Sequence, residues 1–203
     1  MSSLIEKFSR FKNKVKTPPQ LRMVFPESLS LPEHVMLPKG FKCREYRDED
    51  KNKWLNLMTN NGQLGHWDIA RLEHILLDQP VYSSQYFVFI GNKLVACAGA
   101  YIKSKNQMQC CEIGWIATDP NYSRKGLGAH VIIRAIRNAR ARKHNEVFLL
   151  TDDFRIPAIS LYLKIGFHPS RLYDEATVAR WKNIVNQLDD HLAKKLKYVI
   201  DGR

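Results

Sequence analysis

Residues 112–130 read EIGWIATDPNYSRKGLGAH, and VIIRAIRNARA follows at 131–141. Gly126 and Gly128 stand two apart beside Arg124 and Lys125, between an apolar run and a stretch with helical spacing. Two readings fit: a flexible turn, or an anion cradle. Where a strand runs through a glycine turn into a helix, the first helical N–H groups lack intrahelical partners and point outward with the positive end of the dipole. Phosphate suits such a gap, and Arg124 and Lys125 add charge at its rim. No acidic residue occurs from Arg124 to His144, while Arg134, Arg137, Arg140, Arg142 and Lys143 continue the basic run. A dinucleotide fingerprint would need G-x-G-x-x-G and a Walker loop G-K-[ST]; neither is present.

Working outward, VIIRAIRNARA extends a buried stripe through Leu127, Val131, Ile132, Ala135, Ile136 and Ala139, predicting a helix to about His144. EVFLLT (146–151) is a short apolar strand of the kind buried in a sheet. PAISLYLKIG is a further helix, with Pro157 early and Gly166 at its end. FHPSRLY is a candidate last strand, and residues 177–195 form an amphipathic helix beyond it. On the other side, FKCREY predicts a strand and RDED caps a helix through Met58. WDIARLEHILL starts a second helix. QYFVFI and LVACAGAYI form a hairpin through Gly91, Asn92 and Lys93, and CCEIGWIAT makes the third strand of a meander. The order predicts an α+β fold with one mixed, mostly antiparallel sheet covered by helices.

The first forty residues differ. Residues 1–16 place Leu4, Ile5, Phe8, Phe11 and Val15 at helical spacing with Lys and Arg on the other side. A helix docked on its own domain or a partner subunit is the favoured reading, over a membrane-surface helix or a presequence. Prolines at 18, 19, 26, 32 and 38 predict an extended arm. The expected division is an arm at 1–40, a domain at 41–175 and a C-terminal helix at 176–203.

With 203 residues and 44% hydrophobic residues, the chain can bury one sizeable core. Its net charge of +12 suggests an anionic partner, but does not choose among a nucleotide-like cofactor, nucleic acid and a membrane surface. Cys43, Cys97, Cys110 and Cys111 lack metal-ligand spacing and read as free thiols in a reducing compartment. No apolar run approaches a membrane span, so the expectation is a cytoplasmic protein with no metal. No helix-turn-helix, zinc or ribonucleoprotein signature supports a dedicated nucleic-acid role.

The stretch EIGWIATDPNYSRKGLGAH followed by PAISLYLKIGF resembles the GNAT superfamily of acyl-CoA-dependent N-acetyltransferases. The family writes its turn [QR]-x-x-G-x-[GA] and ends a later motif in A-x-x-L-Y-x-K-x-G-F. The chain departs from it at Ser123, which stands for Gln or Arg, and at Arg155, which stands where Asn is frequent. The resemblance spans residues 41–172 in order of elements, with specific motifs at 112–167. It implies acetyl-CoA as cosubstrate, with its pyrophosphate on the turn amides of Ser123, Arg124, Lys125, Gly126, Leu127, Gly128 and Ala129. It further implies that its arm lies along Ile116, Ala117 and Thr118, near Arg155, in a split between CEIGWIAT and EVFLLT.

Amine acylation needs a base for the amine and profits from an acid at the leaving thiolate. Glu112 is the candidate base, expected to share its strand face with Gly114, Ile116 and Thr118; the alternative is a rim carboxylate in a salt bridge. Tyr162 matches the family tyrosine near the departing sulfur; the alternative is a core aromatic. Asp152 and Asp153 are candidates for an acceptor site or a helix cap, and His66, Trp67 and Asp68 for an acceptor wall. The implied partners are acetyl-CoA and an amine, with neither nucleic acid nor membrane as a dedicated partner, and a homodimer stays open. A catalytically silent acyl-CoA-binding or nucleic-acid-binding module is the rival function.

Overall fold

The computed structural model describes residues 18–31, 35–60, 64–74, 82–102, 109–172 and 174–202. The helix expected at 1–16 lies outside these residues. Among the described residues seven strands form one sheet: β1 (Leu21–Phe25), β2 (Phe41–Glu45), β3 (Tyr82–Ile90), β4 (Lys93–Ile102), β5 (Cys110–Thr118), β6 (Glu146–Thr151) and β7 (His168–Pro169). Their order is β2-β3-β4-β5-β6-β1-β7. Only β5 and β6 run parallel; the neighbours on either side are antiparallel. The meander β3-β4-β5 and the Gly91–Asn92 turn follow the sequence expectation.

Among the described residues six α-helices accompany the sheet: α1 (Lys51–Asn60), α2 (Ile69–Glu73), α3 (Leu127–Ala141), α4 (Ile156–Ile165), α5 (Glu175–Val185) and α6 (Asp190–Ile200). The alternation of side chains along each strand divides the interior into two cores. On one face, Val88, Ala98, Ala100, Cys111, Ile113, Val147 and Leu149 pack with the apolar stripe of α3 and with Ile159 and Leu163 of α4. On the other, Phe87, Phe89, Cys97 and Ala117 pack with Trp54, Leu57 and Met58 of α1 and with Trp67 and Leu72.

Two expectations are revised. Leu21–Phe25, read as part of an arm, is an internal strand hydrogen-bonded to β6 on one side and β7 on the other. Leu21, Met23 and Phe25 are buried in the α3 core, each contributing about 1.5–3 kcal/mol of apolar transfer. The helix expected over 177–195 is two helices, because residues 186–189 leave helical geometry and Asp189 accepts the Leu192 N–H as a new N-cap.

One buried charge fixes how β2 enters α1. The Asp50 side chain is fully buried and accepts from Arg44 Nη1 and Nη2 at 2.5 and 2.8 Å and from the Arg47 N–H at 3.0 Å. Burial pushes its carboxyl pKa up, but the Arg44 hydrogen bonds and the Arg47 amide outweigh it and hold the pKa below the usual aspartate value. Its stabilisation is present above the unfolded pKa and is lost as pH falls through the folded one. Asp50→Asn is expected to cost about 2 kcal/mol and to lower the melting temperature by about 4–8 °C, measured by thermal unfolding at neutral pH. The deficit against wild type should narrow in acid.

Candidate functional site

The strand pair β5–β6 is joined at one end only. Cys110, Cys111 and Glu112 pair with Glu146, Val147 and Phe148, and no pairing continues beyond Glu112 and Phe148. From there to Thr118 and Thr151 the strands diverge into a split through the sheet. Antiparallel neighbours hold both sides, β4 on β5 and β1 on β6.

The opening is shaped further by a bulge in β5. Gly99 pairs with Gly114 and Cys97 with Ala117, so the strand carries one extra residue between them. Trp115 takes up the irregularity at φ 51°, a left-handed conformation uncommon for a residue with a Cβ. Its carbonyl accepts the Cys97 thiol at 3.2 Å, and its ring meets Trp67 edge-on at 5.1 Å. The bulge corrects an expectation. Cys111 and Ile113 point into the α3 core, so Glu112 and Gly114 face the α1 side; past the bulge Ile116 packs on the α3 core and Ala117 on the α1 core. Glu112 therefore does not share a face with Ile116 and Thr118.

The glycine turn lies at the open end of β5. Asp119 accepts the Asn121 N–H, and a 3₁₀ turn over Pro120–Tyr122 leads to Ser123, Arg124 and Lys125, all exposed. Arg124 at φ 58° and Gly126 at φ 75° turn the chain into α3. Its N-cap is Gly126, which has no side chain to cap it, and its first internal bond runs from the His130 N–H to the Gly126 carbonyl. The N–H groups of Leu127, Gly128 and Ala129 thus have no intrahelical acceptor. Leu127 is buried and anchors the turn. At Gly128 a Cβ would lie 3.2 Å from Leu161 Cδ2 and 3.4 Å from Thr118 Oγ1, which explains the second glycine by close approach of α3 to α4 and β5. These features fit an anionic diphosphate at the turn and an elongated arm in the split.

The two expected proton-transfer groups stand on opposite faces of the sheet. Glu112 is half-buried at the last paired position, with its Oε1 only 3.3 Å from where a Cβ of Gly114 would be. Tyr162, on α4, is buried in the α3 core; its ring centroid is 6.1 Å from that of Phe167. Burial pushes its phenol pKa up to about 12, against an opposing pull from Arg155. It is protonated at neutral pH.

The other candidates have structural partners. Arg155 begins α4 and pairs with Asp152 at 2.9 Å. Asp153 pairs with Arg180 at 2.5 Å, so both members of the acidic pair form ion pairs. Trp67 is buried, donating to the Leu64 carbonyl, and Asp68 caps α2. Along the basic stripe of α3, Arg134 covers the Tyr86 ring; Arg140 covers Phe25 and donates to the Pro26 and Glu27 carbonyls. Among the described residues no helix is long and apolar enough to cross a membrane.

Sequence reading missed three side chains on Glu112's face: Gln85, Tyr101 and Phe148. Tyr101 and Phe148 are Glu112's register partners on β4 and β6, and Gln85 pairs with Gly99. Their strands were recognised, but register across the sheet has no local signal.

The model for the acetyltransferase (GNAT) family matches residues 45–167, which spans the split, the turn and α4. The fold is similar to a GNAT-family structure from Novosphingobium aromaticivorans at 23% identity and TM-score 0.56, covering 75% of this chain and 60% of that one. It is similar to GCN5-related N-acetyltransferases from Kribbella flavida, at 18% identity and TM-score 0.51 over 76% and 55% of the two chains, and from Sphaerobacter thermophilus, at 14% and 0.61 over 75% and 50%. The chain thus spans between half and three fifths of these structures. No curated protein matches it. With the family model covering more than half of the chain, and its matched segment holding the split and the turn, the chain belongs to the GNAT acetyltransferase family.

Proposed function

We propose that the chain transfers an acetyl group from acetyl-CoA to a primary amine, both bound at once so that the amine attacks directly. The observation that carries this reading is the β5–β6 split with an uncapped α3 N-terminus at its open end. Acetyl-CoA, when bound, supplies an activated thioester. The N–H groups of Leu127, Gly128 and Ala129 hold its diphosphate, Ser123, Arg124 and Lys125 flank it, and Gly126 gives the turn its left-handed step. Ser123 costs little here, since backbone amides make the cradle and Arg124 adds charge. The strand amides of Ile116, Ala117 and Thr118 orient the arm, and Arg155 adds positive charge near Tyr162.

Glu112 takes the proton the amine must lose, directly or through one water. From the other face, Tyr162 gives its proton to the departing sulfur. The sheet thereby separates base from acid, so that neither neutralises the other. Holding both reactants in one site converts a bimolecular encounter into an oriented one.

Release of free coenzyme A over a broad amine panel tests the function. Tyr162→Phe tests the acid: the maximal rate should fall about 10–100-fold, while calorimetry shows acetyl-CoA binding within about twofold of wild type, on the order of 0.4 kcal/mol. Unchanged turnover would remove Tyr162 from the chemistry.

A further inference from the structure

Gln85 and Tyr101 are buried polar groups, at 4% and 3% exposure. Among the described residues, Gln85 Oε1 and Nε2 and the Tyr101 hydroxyl have no hydrogen-bond partner. Leaving such groups unmade costs about 1–3 kcal/mol apiece, and native structures keep few of them. Both belong to the sheet face that carries Glu112. Gln85 pairs with Gly99, Gly99 with Gly114, and Tyr101 with Glu112.

The two glycines form the floor of this cluster. A Cβ on Gly99 would lie 2.6 Å from Gln85 Cδ, so the Gln85 amide lies flat across β4 towards β5. A Cβ on Gly114 would meet Glu112 Oε1 at 3.3 Å and the Tyr101 ring at 3.6 Å. Paired positions on neighbouring strands have their Cβ sites about 5 Å apart. The carboxamide over Gly99 and the carboxylate over Gly114 therefore stand at paired positions of neighbouring strands on one sheet face, with the Tyr101 phenol beside them.

We propose that Gln85 and Tyr101 recognise the acceptor, and that the acceptor is a primary amine whose amine-bearing carbon also carries a carboxamide, as at the amino terminus of a peptide. The inference rests on the acetyl-transfer reading. With the amine at Glu112, the ligand's amide lies against the Gln85 carboxamide that covers Gly99. There its carbonyl accepts from Gln85 Nε2 or Tyr101 Oη, and its N–H donates to Gln85 Oε1. A carboxamide is the common group that offers both a donor and an acceptor to a glutamine side chain. A plain alkyl amine leaves the glutamine and the phenol as they are, and a site built for hydrogen bonds discriminates strongly against a ligand that cannot make them. Phe148, in register with Glu112 from β6, stands on the other side of the carboxylate, with the Arg22 guanidinium 4.2 Å from its ring centroid.

The test compares alaninamide with isopropylamine, which replaces the carboxamide by a methyl group, on the full chain in the presence of coenzyme A. Binding is measured by calorimetry and acetylation by coenzyme A release. Gln85→Leu and Tyr101→Phe are each expected to lower the alaninamide-to-isopropylamine ratio, in affinity and in kcat/KM, at least tenfold. Because each variant removes a buried unpaired polar group, its melting temperature should equal or exceed that of wild type. Equal effects on both amines, or failure of wild type to bind alaninamide in preference to isopropylamine, would overturn the assignment. If wild type prefers alaninamide in calorimetry but releases no coenzyme A with any amine, the recognition stands and the transferase reading falls.

Discussion

Gly126→Asp is expected to abolish useful acetyl-CoA binding, weakening it by about 100–1,000-fold. Two effects combine. Gly126 sits at φ 75°, where an L-residue costs roughly 1–2 kcal/mol. Its carboxylate would also enter the mouth of the α3 N-terminus, against a diphosphate; two like charges about 4 Å apart repel by about 4 kcal/mol at an effective dielectric of 20, reduced by salt. Gly126→Asn separates the two. Asparagine tolerates the left-handed region better than most residues and carries no charge, so it should bind within about tenfold of wild type, roughly 1.4 kcal/mol. The Cβ would make an ordinary van der Waals contact with Val35 Cγ1 at 3.6 Å, so both variants should fold. Calorimetric titration with acetyl-CoA, alongside thermal unfolding of each variant, measures the effect. An aspartate variant that binds as wild type would mean the turn is not the cradle.

Glu112→Gln should lower kcat/KM for the amine by about 100–1,000-fold, the range lost with a general base, while acetyl-CoA binding changes little. The substitution keeps the side chain's shape over Gly114 and at the paired end of the split, so loss of rate reports loss of proton acceptance. Single-turnover kinetics with saturating acetyl-CoA separates this from weaker amine binding. A drop below about threefold would leave Glu112 as a rim carboxylate and hand proton removal to solvent.

The parts of the fold visible in sequence were those with local causes. The α3 stripe, the left-handed Gly126, the second glycine at 128 and the Gly166 stop each follow from periodicity or from a conformation only glycine adopts easily. Strand β1 was hidden because Pro18, Pro19 and Pro26 bracket it, and its reason for being a strand is pairing with β6, more than 120 residues away. The break between α5 and α6 did carry a local cue, the capping Asp189, inside a stretch whose apolar spacing ran on through it. The bulge at Trp115 had none. A tryptophan in the left-handed region is held by its neighbours, here the Cys97 thiol on its carbonyl and Trp67 on its ring. That single inserted residue decides which side chains accompany Glu112. Gln85 and Tyr101 were for that reason invisible: each lay in a correctly recognised strand, yet only the register Gln85–Gly99–Gly114 and Tyr101–Glu112 brings them to the carboxylate.

Acetyl transfer itself is tested most directly by following free coenzyme A and acetylated amine together, across an amine panel, with wild type and Glu112→Gln side by side. The expected result is amine-dependent release of coenzyme A, matched one to one by N-acetylated product and largely lost in the variant. Tight acetyl-CoA binding with no release above spontaneous hydrolysis for any amine would contradict it, and would mark the split as a site that binds the thioester without using it.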